Sequence, residues 1–332
     1  MATFPVTAST LSETGLGKFI REKYGLNDSF ECKLFRTGIN HTYFISNGIT
    51  KYVVRVYSHN WRTEYEIKEE LKLINLLKAS NLSVSSPIPD KNNSFIQRIN
   101  APEGQRYIVV FSFAKGQKVR FMSNDTCFSI GSLMAKMHIL TENKRIDRID
   151  YHAQLLLNQS YNKLKGFFSE TLTEMKYLKR IGNDIIRIFE EINASGLRQG
   201  VVHLDIWYDN LSVNEENEIT IFDFDNCGNG ALILDISYFC KQLFLIESDK
   251  QVYESKVESF LNGYQTITKI TDTELKYIPE AGASIFAYYL GVQAQRFDWS
   301  NIFLTENYLK MFVGRIKSWL DYYKEKEITL HN

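Results

Sequence analysis

The chain has 332 residues, 39 Lys+Arg balanced by 39 Asp+Glu, and 22 Phe, 19 Tyr and 4 Trp. That length accommodates two cores, and the zero net charge offers no footprint for nucleic acid or an anionic membrane surface, so neither is an expected partner. Cys32, Cys127, Cys227 and Cys240 are scattered without metal-ligand spacing. With no signal-peptide pattern and no membrane-length apolar run, the expectation is a cytoplasmic protein with reduced thiols.

In chain order, Leu11, Leu16, Phe19 and Ile20 form an apolar stripe that predicts a helix from Thr10, with Gly25 as its stop. Strands follow at 30–36, 41–46 and 51–57, the last two joined by the hairpin signal Asn47-Gly48. A helix over 62–79 places Ile67, Leu71, Ile74 and Leu77 on one face, and Pro87 and Pro89 close that segment. Two more strands are read at 94–99 and 106–113. After Lys115-Gly116 the pattern turns helical, at 123–140, 153–168, 173–195, 231–247 and 251–265. Thr271 and Glu274 have capping-box spacing, Pro279 opens a further helix, and a last one covers 306–323. The architecture read from this order is α+β: a small antiparallel-sheet lobe, a hinge near 111–116, and a large, mainly helical lobe interrupted by a ribbon at 201–224.

Chemistry concentrates in residues 201–235. His203-Leu204-Asp205 is followed by Asn210 and then by Asp223-Phe224-Asp225. Between them, Leu211-Ser212-Val213 and Ile219-Thr220-Ile221-Phe222 flank the turn-rich Asn214-Glu215-Glu216-Asn217, a hairpin pattern that sets Asn210 and Asp223 side by side. This arrangement suits phosphoryl transfer, where one Asp orients the acceptor hydroxyl and takes its proton while Asn and a second Asp hold Mg²⁺. Earlier, Thr37-Gly38-Ile39-Asn40-His41-Thr42-Tyr43 joins two strands through a turn whose backbone N–H groups can approach phosphate oxygens; in isolation it also reads as an ordinary hairpin turn. Tyr52-Val53-Val54-Arg55-Val56 carries a cation on the third strand, and Cys227-Gly228-Asn229-Gly230, read as a glycine-rich turn, leads to Asp235-Ile236-Ser237-Tyr238.

Together these four stretches resemble the aminoglycoside phosphotransferase / choline kinase / homoserine kinase type II family, over nearly the whole chain. The resemblance implies a bilobal protein-kinase-like fold, with a nucleotide-binding lobe at 1–113 and a catalytic, substrate-binding lobe at 114–332. It also implies ATP and Mg²⁺ as cofactors and a small-molecule hydroxyl acceptor. Gly38, Asn40 and His41 would cover the phosphates, and Arg55 would contact them, held by Glu70, with Glu66 and Glu69 as alternatives. Adenine would lie between the lobes against the backbone around Phe111 and Phe113. Asp205 would be the catalytic base, and Asn210 and Asp223 the metal ligands.

Other positions follow from the same resemblance. His203 and His138 take structural roles, Asp235 buttresses the catalytic loop or caps its own helix, and Asp225 is a hydrogen-bonding residue or an auxiliary ligand. Arg55 stands where protein kinases have Lys, and Leu204 and Asp209 stand where the family has Gly. Cys227 is read as a packing residue. The acceptor is expected to carry an amine, as in amino alcohols or homoserine, with an aminoglycoside antibiotic as the alternative. A pseudokinase that binds nucleotide without transfer is the reading from a different class. The aromatic run 288–299 is either core or a box for a cationic substrate. Oligomeric state is not legible.

Overall fold

In the computed structural model, which describes residues 4–192, 196–296 and 301–330, the chain divides into two compact units, one through Lys115 and one from Gly116 onward.

The first unit opens with α1 (Glu13–Tyr24), started by Ser12, whose side chain accepts the Gly15 N–H, and stopped at Gly25 in the left-handed conformation, φ 65°. Strands β1 (Glu31–Arg36), β2 (His41–Ser46) and β3 (Lys51–Val56) pair antiparallel in sequence order. Next, α2 (Glu64–Ala79) is opened by a reciprocal Thr63–Glu66 capping box. Then come β4 (Pro87–Ile88), β5 (Ile96–Ala101) and β6 (Gly104–Ser112). β6 pairs along one edge with β3, while β4 and β5 share the other. Pro87 does not simply end the preceding segment, as expected. It opens a two-residue strand at the sheet margin, where a missing N–H is tolerated. Leu16 and Ile20 of α1 pack with Tyr43, Ile45, Val54, Ile108 and Val110 in one core, each large side chain contributing about 1.5–3 kcal/mol of burial.

The second unit begins with α3 (Asn124–Thr141), capped by Ser123. β7 (Asp150–Tyr151) follows, and the single helix predicted over 153–168 is instead a π-helical segment, Gln154–Gln159, running into the short α4 (Ser160–Leu164). α5 (Thr173–Ile192) leads to β8 (Gln199–Val202); residues 193–195 of the predicted helix lie outside the described ones. β9 (Leu211–Val213) and β10 (Ile219–Ile221) form the predicted ribbon. β11 (Gly228–Ala231), α6 (Ile233–Ile246), α7 (Lys250–Gln265), α8 (Asp272–Lys276), α9 (Ile278–Gln295) and α10 (Glu306–Leu330) complete it. Thr271 and Glu274 form both bonds of the capping box that opens α8.

Two close approaches in this unit position the site. A Cβ on Gly131 of α3 would meet the Phe260 carbonyl oxygen at 2.0 Å, and one on Gly263 of α7 would meet that of Phe128 at 2.0 Å, so the paired glycines let the two helices touch backbone to backbone. The segment read as a glycine-rich turn, Cys227 to Gly230, is largely the strand β11, which lies between β7 and β8 in a three-stranded sheet. Its glycine has a packing cause: a Cβ on Gly228 would stand 2.6 Å from the Ile149 carbonyl oxygen. Val202 pairs with Gly228, so the chain leaving β8 and the chain entering β11 start from one ladder. Among the described residues no helix is long and apolar enough to cross a membrane, and all four cysteines are free and buried.

Candidate active site

In the first unit, β3 and α2 hold Arg55 against Glu70. Arg55 Nη1 lies 2.6 Å from Glu70 Oε1 and 3.3 Å from the Tyr57 hydroxyl, and that hydroxyl donates to Glu70 Oε2 at 3.0 Å. Glu70 is fully buried, and the Arg55 guanidinium lies 4.8 Å from the centroid of the Phe111 ring. The two alternatives to Glu70 are engaged elsewhere: Glu66 in the cap of α2, Glu69 with Lys72. Phe113 is not part of this cluster, since its ring meets Phe44 edge-on at 5.8 Å and the Lys51 ammonium at 4.4 Å. Gly38 and Asn40 lie in the turn between β1 and β2, and His41 begins β2. Ser58 braces that turn: its N–H donates to Asn40 Oδ1 at 3.3 Å and its hydroxyl to the Ile39 carbonyl.

In the second unit, the loop after β8 is built around Asp235, a fully buried carboxylate in the first turn of α6. It accepts the N–H of His203 at 2.8 Å on one oxygen and that of Leu204 at 2.6 Å on the other. Two consecutive amides turned to one carboxylate fix Leu204 at φ 62°, a left-handed conformation usually left to glycine. Asp235 therefore buttresses the loop and does not cap its own helix. Behind it, His138 Nε2 donates to Asp235 at 3.2 Å, and His138 Nδ1 accepts from the Tyr264 hydroxyl at 2.8 Å. Tyr264 in turn accepts from Arg198 at 3.1 Å, and Arg198 pairs with Glu274 at 3.0 Å. The α3–α7 contact thus feeds a buried polar chain into the loop.

His203 ties the two motifs together. The Asp205 N–H donates to Nδ1 at 3.2 Å, so the ring hydrogen is on Nε2, which donates to the Phe222 carbonyl at 3.2 Å. Asp223 follows at φ 68°, a second strained non-glycine position of the kind that recurs at functional sites. On the ribbon, the Phe222 N–H bonds the Asn210 carbonyl at 3.1 Å, which brings the start of β9 beside the end of β10, as the hairpin pattern predicts. The Asn210 amide donates to Asp205 Oδ2 at 2.8 Å. Its Oδ1 and the Asp223 carboxylate are hard oxygen donors, and two protein oxygens are the usual share of a Mg²⁺ shell completed by phosphate and water. Among the described residues there is no group of three or more His, Cys, Asp or Glu that could hold a metal ion. Asp209, a departure from the family pattern, accepts from Lys118 at 2.6 Å, and Arg148 donates to the main-chain carbonyl of Asp225.

Asp205 is half-buried, with Tyr238 of α6 donating to its Oδ1 at 2.5 Å. Desolvation pushes its carboxyl up to about 7; the Tyr238 hydrogen bond opposes this and repulsion from Asp223 adds to it. The sequence reading missed Tyr238 as a site residue, although it closes the Asp235-Ile236-Ser237-Tyr238 stretch. It also missed Tyr289, whose hydroxyl donates to the Leu204 carbonyl at 2.9 Å, and Lys241, one turn beyond Tyr238. Of the aromatic run, Tyr288 and Tyr289 lie on α9, whereas Phe297, Asp298 and Trp299 lie outside the described residues.

Residues 31–269 match the sequence model of a family described as a phosphotransferase enzyme family. An uncharacterized protein of Synechocystis sp. is 25% identical over 88% of this chain and 81% of its own. Among solved structures, an amicoumacin kinase in complex with AMP-PNP, Ca²⁺ and Ami superposes with TM-score 0.78 at 20% identity, covering 94% of each chain. A microcompartment-associated aminopropanol kinase gives 0.75 at 18% identity, over 93% of this chain and 95% of that one.

Proposed function

Because the chain belongs to the phosphotransferase enzyme family, we propose that it is an ATP- and Mg²⁺-dependent cytoplasmic kinase acting on the hydroxyl of a small amine-containing acceptor, an amino alcohol or amino acid. The observation that carries this reading is the Asp205 carboxylate, held by Tyr238 and Asn210 beside the ribbon that carries Asp223. In the transfer, the acceptor oxygen bonds to the γ-phosphorus, the bond from that phosphorus to the β-bridging oxygen breaks, and ADP leaves with the electron pair. Asp205 orients the hydroxyl and takes its proton, a role favoured by a carboxyl poised at about 7. Asn210 and Asp223 would hold Mg²⁺, which when bound offsets the charge on the phosphate oxygens. Arg55, fixed by Glu70, would contact the phosphates, and Gly38, Asn40 and His41 would cover them. Phe111, at the end of β6, and Phe113, just beyond it, are proposed to face adenine.

The amine-containing class draws support from the likeness in fold to the aminopropanol kinase. An antibiotic acceptor is the second reading, favoured by the likeness to amicoumacin kinase. A screen with labelled ATP across amino alcohols, hydroxy amino acids, sugars and aminoglycosides tests the class. Asp205→Ala should lower turnover by roughly 10²–10⁴-fold while ATP binding persists. Turnover at the wild-type level in that variant would remove Asp205 from its role.

A further inference from the structure

α6 places Tyr238, Lys241 and Gln242 within one turn. Tyr238 donates to Asp205, and Gln242 donates to the Tyr238 hydroxyl at 2.9 Å. Lys241 is only 3% exposed, and its ammonium lies 4.4 Å from the Tyr238 ring centroid, 4.3 Å from that of Phe286 and 5.8 Å from that of Tyr289. Among the described residues it has these aromatic faces for neighbours and neither a hydrogen bond nor an ion pair. Burying an ammonium without hydrogen-bond acceptors is costly, and three ring faces return only part of that cost. Burial pushes Lys241 down to about 7, and the nearby charge of Arg315 on α10 lowers it further while that of Asp205 raises it. The aromatic faces that a cationic acceptor would seek are therefore already occupied by the protein's own cation.

A second group near the same tyrosine is incomplete. The Tyr289 hydroxyl spends its hydrogen on the Leu204 carbonyl and so accepts from Asn226 Nδ2, at 3.4 Å. This fixes which end of the Asn226 amide is which. Asn226 is 6% exposed, and its Oδ1 has no hydrogen-bond partner. Around Tyr289, whose ring neighbours the Lys241 ammonium and whose hydroxyl takes the Asn226 amide, the protein thus holds one unanswered cation and one unanswered acceptor.

Resting on the kinase reading above, we propose that Lys241 selects the acceptor by its carboxylate while Asn226 Oδ1 receives a hydrogen from its ammonium, so that the substrate is a zwitterionic hydroxy amino acid. An opposite charge at Lys241 restores the charged form that burial disfavours, whereas an acceptor bearing amines alone brings like charge to it.

Three acceptor pairs that differ only in the carboxylate test this: homoserine against 3-amino-1-propanol, serine against ethanolamine, and threonine against 1-amino-2-propanol. In the best-used pair the amino acid should have the higher kcat/KM, by on the order of 10- to 100-fold, the range of a charge-assisted hydrogen bond. Lys241→Met should bring that ratio to within about threefold of unity, and Lys241→Arg should keep the preference. Loss of folding would lower both members of a pair together, so the ratio reports recognition; if Lys241→Met does not fold, the wild-type and Lys241→Arg ratios still decide. Preference for the amino alcohols, use of aminoglycosides alone, or a ratio unchanged in Lys241→Met would overturn the proposal and leave the kinase reading standing. No phosphorylation of any acceptor in the wider screen would remove both.

Discussion

Arg55 in the first unit and Lys241 in the second are both buried basic side chains laid against aromatic rings. Arg55 lies on Phe111 and Tyr57, and Lys241 on Tyr238, Phe286 and Tyr289. They differ in what faces the charge. Arg55 has the Glu70 carboxylate at 2.6 Å, whereas Lys241 meets only rings among the described residues. A planar guanidinium can bond Glu70 with one nitrogen and still present others, so its pair with Glu70 sets its direction. A lone buried ammonium is kept at a cost to stability, and such a cost persists where a ligand recovers it.

The contrast predicts opposite signs for removing one group from each cluster. The largest effect belongs to Glu70→Ala, which leaves Arg55 buried without its carboxylate and should lower unfolding free energy by about 3–5 kcal/mol in guanidinium titrations. Lys241→Met should instead stabilise the protein at pH 7, by roughly 1–3 kcal/mol, because a similar volume is filled without a desolvated charge. A loss on the scale of Glu70→Ala would end the comparison. That gain should depend on pH. Lys241 is depressed to about 7 in the fold, from an unfolded value of about 10.4, so between these limits the unfolded chain binds the extra proton. Wild-type stability from this group therefore rises with pH from about 7 to 10, and the advantage of Lys241→Met should shrink across the same range, read from paired melting curves. The charged groups acting on Lys241, Asp205 and Arg315, are present in both proteins. The smallest effect is expected for Arg55→Lys, which keeps the charge opposite Glu70 but loses the planar stack on Phe111. It should cost about 1 kcal/mol, with any change in KM for ATP reporting the lost fork.

Much of this was legible where the cause is local. Alternating residues around Asn214 to Asn217 announced the β9–β10 ribbon, and Thr271 with Glu274 announced the start of α8. Of the three glutamates weighed for Arg55, capping claims Glu66, Lys72 claims Glu69, and Glu70 faces Arg55. What stayed hidden depends on distant segments. β7, β8 and β11 have two to four residues each, too few to show a period, and the glycines of β11 look like a turn until Ile149 and Tyr151 are set against them. Leu204 reads as a poor substitute for glycine, but Asp235 holds two successive amides and imposes the left-handed turn anyway. Lys241 reads as an ordinary helix lysine. Its burial is set by Phe286 and Tyr289, more than forty residues later on α9.

The grip of Asp235 also bears on how this unit opens. The Leu204 amide belongs to no helix or strand, yet its acceptor is a side chain 31 residues further along, in the first turn of α6. It can exchange its hydrogen with solvent only when that helix end moves away. The same helix carries Tyr238, so the motion that frees the amide also releases the Asp205 carboxylate. Deuterium uptake at a single loop position should therefore follow the opening of α6, placing the residues around Asp205 in a cooperative unit with a core helix instead of among the fast-exchanging loops.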